Sequence, residues 1–282
     1  MTEKRRYKNL YLAKNCCRLV TLVCFSFTFA LITSFSACID KSRVTPSPDT
    51  ARRELVLKDI PFDEKTFIDV AARGEVVNVK LFLAAGINPN AKSEKGDTAL
   101  IAAANNNQVK VIEALLAGGA DLKATDKQGL TALMRSARIN KLEAVKTLLS
   151  HGADVNSMGD VGATALMFTS VKGELAVLQA LLEANADINI RDKDVGTALA
   201  WAAYYDRIDI AQVLLARGAD PNVSNDSGGT PLMMAAYNGN QEMIRMLLEK
   251  GADKNAKDKD KLTAEQWALK ARHDETAKLL RK

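Results

Sequence analysis

Two histidines, His151 and His273, four cysteines and a recurring aspartate are the side chains of this chain that could ligate a metal, attack a carbonyl or pass a proton. Neither histidine has a cysteine or a second histidine at ligand spacing, so no metal donor set forms around them. All four cysteines, Cys16, Cys17, Cys24 and Cys38, lie before residue 39, and the rest of the chain has no internal disulfide or Cys-based site. Asp121, Asp154, Asp187, Asp220 and Asp253 look like paired carboxylates until their spacing is counted. Each stands 33 residues from the next, as turn formers in a repeat do. No nucleophile motif, phosphate loop or dinucleotide fingerprint is present. The expectation is a protein with no catalytic residue, metal, cofactor or small-molecule substrate.

The same interval governs the whole chain. Thr98, Thr131, Thr164, Thr197, Thr230 and Thr263 are 33 residues apart, and Leu100, Leu133, Leu166, Leu199 and Leu232 follow two behind. Leucine pairs come next, from Leu115-Leu116 to Leu247-Leu248, and then Gly-Ala-Asp blocks, with Asn185 replacing the glycine once. Such self-similarity marks stacked supersecondary units, none of which can bury its apolar face alone. Within a unit, Thr131 can cap a first helix over Ala132 to Arg138, and Asn140 suits the positive φ that ends it. Leu142, Val145, Leu148 and Leu149 recur at helical spacing and predict a second helix, which Gly152 stops. The predicted fold is all-α, a solenoid of about six helix-turn-helix units with short projecting turns.

The units resemble ankyrin repeats, whose pattern runs Gly-x-Thr-Pro-Leu-His-x-Ala-Ala, then Gly, Leu-Leu, Gly-Ala-Asp and Asn. Gly229-Thr230-Pro231-Leu232 with Ala235, Ala236 and Gly239 is close to it, and the closing asparagines are Asn90, Asn156, Asn189, Asn222 and Asn255. The histidine position holds Ile101, Met134, Met167, Ala200 and Met233 instead, which removes a polar link and implies slightly looser repeats. A unit without the threonine, marked by Phe67, Ala71, Gly74 and Phe82-Leu83, reads as the N-terminal cap. Repeats are expected over 62–262, with a capping half-repeat at 263–282.

The formal net charge of +5 is concentrated at the start. Of 39 bases and 34 acids, six bases and one acid fall in residues 1–38, so the remainder holds 33 of each and offers no field for nucleic acid. The first segment has the order of an export signal: a basic stretch, uncharged Leu19 to Ile39, then small residues. Phe35-Ser36-Ala37-Cys38 resembles a bacterial lipobox, in which the cysteine is acylated. An uncleaved signal anchor is the competing reading, because the apolar run is also long enough to span a bilayer. On the lipoprotein reading, 1–37 is a signal peptide and 38–61, with Pro46, Pro48 and Pro61, begins with lipidated Cys38 and is a flexible tether. With Ile39 rather than aspartate after the cysteine, the resemblance implies a periplasmic protein on the outer membrane, touching the bilayer only through its lipid.

Binding is then the expected function. In the ankyrin pattern the seventh and eighth residues after the threonine point into the concave groove. The candidate partner-binding residues are Arg138, Ile139, Val171, Lys172, Tyr204, Tyr205, Tyr237 and Asn238, preceded by Asn105 and Asn106. The three tyrosines are expected to form one aromatic patch, since tyrosine offers apolar area and a hydroxyl with little rotamer freedom to lose. Trp201 and Trp267, four residues after their threonines, read as core packing, and Arg135 at the same position has no evident reason. The expected partner is a protein, such as a periplasmic toxin or enzyme. Lipid-tethered ankyrin proteins of bacteria resemble, in several cases, immunity proteins that block envelope-directed toxins such as secreted lipase effectors, and others accompany periplasmic redox enzymes. An envelope hydrolase is the competing class.

Overall fold

The structure is a computed structural model that describes residues 45–172 and 175–281. The export segment and Cys38 lie outside the described residues. Among the described residues a lone helix, α1 (Pro48–Leu57), precedes seven helical pairs. They are α2 (Glu64–Arg73) with α3 (Val76–Ala84), α4 (Ala99–Asn105) with α5 (Val109–Ala117), and α6 (Ala132–Arg138) with α7 (Leu142–Ser150). Next come α8 (Ala165–Lys172) with α9 (Leu175–Glu183) and α10 (Ala198–Tyr204) with α11 (Ile208–Ala216). The last are α12 (Pro231–Asn238) with α13 (Gln241–Glu249) and α14 (Ala264–Lys270) with α15 (Asp274–Arg281). First helices pack on first helices and second on second, so the core is one continuous two-layer stack. Among the described residues the extended backbone is limited to isolated bridges in the projecting turns, such as Lys92 with Thr98.

The threonine ladder starts the first helices. The hydroxyls of Thr98, Thr131, Thr197 and Thr230 accept from the amides of Ile101, Met134, Ala200 and Met233 at 3.3–3.4 Å. Asp63 does this for the unit that lacks the threonine, accepting from Thr66 N at 2.7 Å. Nine residues after Thr98, Thr131, Thr197, Thr230 and Thr263 the backbone turns left-handed, at Asn107, Asn140, Asp206, Gly239 and Arg272. At Gly239 (φ 73°) glycine has a second cause, because a Cβ there would meet the His273 ring at 2.7 Å.

Small residues let the first helices approach. Ala103, Ala203, Ala235 and Ala236 are fully buried, as are Ile101, Met134, Met167, Ala200 and Met233 at the position where the family pattern has histidine. Asparagines tie neighbouring units: Asn90, Asn156, Asn189 and Asn222 accept through Oδ1 from the amides of Asp121, Asp187, Asp220 and Asp253 at 2.7–3.0 Å. Each aspartate also accepts from the amide two residues on, as a turn former does. Lys123 stands where the asparagine of the second unit would be, and that brace is missing.

Two boundaries differ from expectation. The segment 38–61 is not a tether throughout, because α1 occupies Pro48–Leu57. Pro48 is tolerated in the first turn, Ser47 caps it, and Ala51 and Leu55 are buried against α3. Arg52 Nε donates to Ala85 O at 3.1 Å and its guanidinium lies over Phe62, which stacks on Phe82 and closes the end of the stack. At the other end, 263–281 holds both helices of a unit rather than half of one.

Candidate protein-binding groove

Except at Gly159, the residue five before the capping threonine holds the projecting turn by its side-chain oxygen. In the turn at Asp126, one carboxylate oxygen accepts from the amides of Gln128 and Leu130 at 2.7 and 3.0 Å. Asp192 does the same with Val195 and Gly196, and Asp258 with Leu262. The turn leaves the second oxygen unused, buried and in need of a donor. That donor comes from nine residues on: Arg135 Nε to Asp126 at 2.6 Å, Trp201 Nε1 to Asp192 at 2.7 Å, and Trp267 Nε1 to Asp258 at 2.8 Å. Burial pushes the Asp126 carboxyl up, but the amides of Leu130 and Gln128 and the Arg135 guanidinium outweigh it and hold the group below the usual carboxylate value. Arg135 also reaches Asp97 of the preceding turn at 3.8 Å.

The pairing explains Arg135, which sequence reasoning left unexplained, and it adds a hydrogen bond to the core packing of both tryptophans. Trp201 and Trp267 are only half-buried, and each is fixed by its N–H rather than by packing alone. Where the turn residue is not an acid, the residue nine on is not a donor. Asn225 is followed by Met234, Gly159 by Phe168 and Ser93 by Ala102. Comparing positions at that nine-residue offset would have found the rule.

The tyrosines stand beside these tryptophans. Tyr204, Tyr205 and Tyr237 are 39%, 39% and 48% exposed, as a contact surface requires. Their ring contacts fall into two groups. Tyr205 stacks on Trp201 with centroids 5.7 Å apart and 15° between planes, and Tyr204 meets Tyr205 edge-on at 5.1 Å. Tyr237 belongs to a second group, edge-on to Trp267 at 6.1 Å. The grouping follows the frame, because Tyr205 and Tyr237 each meet a pinned indole, and Tyr204 meets Tyr205.

The other expected residues divide. Lys172 is exposed, while Arg138, Ile139 and Val171 are half-buried. Arg138 donates to Gln128 Oε1 at 3.2 Å, with its guanidinium 5.9 Å from the Phe168 ring centre. Val171 O accepts from Arg207 Nε at 2.8 Å. Asn238 is a brace, its amide donating to the carbonyls of Ala203 and Tyr204. Asn105 and Asn106 extend the same row, with Asn106 donating to Ala102 O at 3.0 Å. Sequence reasoning missed Met158 and Val161, 54% and 50% exposed on the turn that has Gly159 where others have aspartate.

The comparisons agree with this geometry. A family model described as ankyrin repeats (3 copies) matches residues 67–159, 156–225 and 217–282. No curated protein matches the chain. The ankyrin repeat domain of human ASB11 has a similar structure, with 26% sequence identity and a TM-score of 0.65, covering 76% of this chain and 96% of that one. Six registered threonines, a two-layer helical stack and a matched model over most of its length place the chain in the ankyrin-repeat family, as a protein–protein interaction module.

Proposed function

We propose that this protein is a lipid-anchored module of the bacterial envelope that grips one protein partner through the aromatic end of its groove. In this reading it serves as an immunity protein that blocks an envelope-directed toxin. The observation that carries the binding half is the exposure of Tyr204, Tyr205 and Tyr237 on one face of a rigid stack. Exposed aromatics in such a setting are characteristic anchors of an interface. The location half rests on the order of basic stretch, apolar run and Phe35-Ser36-Ala37-Cys38. With α1 starting ten residues after Cys38, an acylated cysteine would hold the fold within roughly 33 Å of the lipid. A partner would then be engaged close to the membrane, where an envelope toxin acts. Ankyrin repeats are generally non-catalytic, and the groove supplies contact area rather than a nucleophile.

The test is a photo-crosslinking amino acid placed in cells at Tyr205 and, as control, at exposed Val77 in α3. A specific protein adduct at 205 and none at 77 is expected. The adduct is then co-expressed with and without this chain. Protection from a lethal partner supports immunity, and a harmless enzyme as the adduct would make the chain an accessory scaffold instead. Fatty-acid analogue labelling should mark the wild type and not Cys38→Ala, and equal labelling of both would favour the signal anchor.

A further inference from the structure

We propose that Asp192 and Asp258 are positioning residues of the groove, each holding one indole by its N–H so that the indole sets the tyrosine ring a partner meets. Asp192 is 2% exposed, and its turn needs only one acceptor oxygen, which the Val195 and Gly196 amides use. An amide side chain does that part equally well. Asn225 holds the next turn by accepting from Ser227 and Gly229 at 3.0 and 2.8 Å. The carboxylate is therefore not required for the turn, and its second oxygen has one partner, Trp201 Nε1. Trp201 in turn contributes one face to Tyr205, which holds Tyr204 by its edge. The acid–indole pair recurs two units on, with Asp258 bonded to Trp267, and there the indole meets Tyr237 of the preceding unit edge-on. A tyrosine at an exposed helix end would otherwise sample several rotamers, and fixing it beforehand removes an ordering penalty from binding.

A purely structural hydrogen bond would give the same contacts, and the neighbouring unit shows how to separate the two. Asn225 faces Met234, so Asp192→Asn with Trp201→Met copies a pairing the fold already uses. The inference rests on the groove reading only for its binding arm. The full chain, labelled with 3-fluorotyrosine, is compared as wild type, Asp192→Asn and the double variant, with Tyr205→Phe assigning the Tyr205 fluorine signal. Asp192→Asn alone, which sets an amide N–H against the indole N–H, should melt earlier. The double variant should melt near wild type, yet its Tyr205 signal should move to the position of an unstacked tyrosine. Capture of the protein crosslinked at 205 should fall roughly threefold to tenfold. An unmoved Tyr205 signal in the double variant overturns the positioning role whatever binding does. A moved signal with unchanged capture supports the positioning role and overturns the groove reading.

Discussion

The turn at Asp192 and the turn at Gly159 occupy the same place in consecutive units and are built in opposite ways. The first has a buried acid, an indole that answers it and two exposed tyrosines beyond. The second has neither acid nor donor. Phe168 stands nine residues on from Gly159 with an arginine over its ring, a Cβ on Gly159 would meet Leu130 Cδ2 at 3.0 Å, and Met158 and Val161 are exposed at the tip. The 33-residue frame tolerates both because the residues change together. A carboxylate without a donor would be left buried and unpaired, and a donor without the carboxylate would lose its fixed direction. One consequence is that a single unit can carry a pinned aromatic contact on the shared frame, since the acid and its donor lie within one unit.

The largest way to break that contrast is Trp201→Ala. It removes an aromatic ring from a half-buried site and leaves the Asp192 oxygen unpaired, and should destabilise by about 3 kcal/mol. A thermal melt should show the midpoint falling by several degrees, together with loss of partner capture because Tyr205 loses its stacking face. Unchanged melting would mean the indole bond is not structural. Next comes transplanting the acid. Gly159→Asp alone should cost ~1–3 kcal/mol through a carboxylate oxygen left without a donor, and adding Phe168→Trp should recover most of it. Denaturant unfolding of the two variants decides this, and a double variant no better than the single would contradict the pairing rule.

Acid should act on the Asp126 turn in a stated direction. Its carboxyl titrates below its ordinary value in the folded chain, so the stability it contributes is present above about pH 4 and is lost as pH falls through the lower folded value. Arg135→Met should shrink that acid-dependent loss in melts taken between neutral and strongly acidic pH. An unchanged pH profile would remove Arg135 as a cause. The smallest effect is expected from Asn90→Ala, which deletes an exposed brace to Asp121 and should cost ~0.5–1 kcal/mol.

The frame of the fold was legible because one interval repeats six times and its punctuation is local. Thr131 capping, Asn140 in the left-handed region and Gly152 as a stop each follow from the chemistry of single residues. Helix α1 was not legible, since Pro46 and Pro48 read as an extended segment and its two buried residues, Ala51 and Leu55, have meaning only against α3. The groove was half legible. Tyr204, Tyr205 and Tyr237 were located by their register alone, but their division into two groups depends on Asp192 and Asp258 reaching nine residues forward. Asn238 shared the register of a contact residue, and its amide turned out to bridge to Ala203 and Tyr204.

The most direct measurement of the central claim is capture of the crosslinked partner by the triple variant Tyr204→Ala, Tyr205→Ala and Tyr237→Ala, with helical melting followed in parallel. Truncating aromatic anchors of this kind commonly costs ~2 kcal/mol or more each in binding, and all three rings are exposed, so capture should drop well beyond tenfold while the melt stays within a few degrees of wild type. Full capture by the triple variant would contradict the account and move the binding surface to the projecting turns around Lys127, Asp160, Lys193 and Asp226.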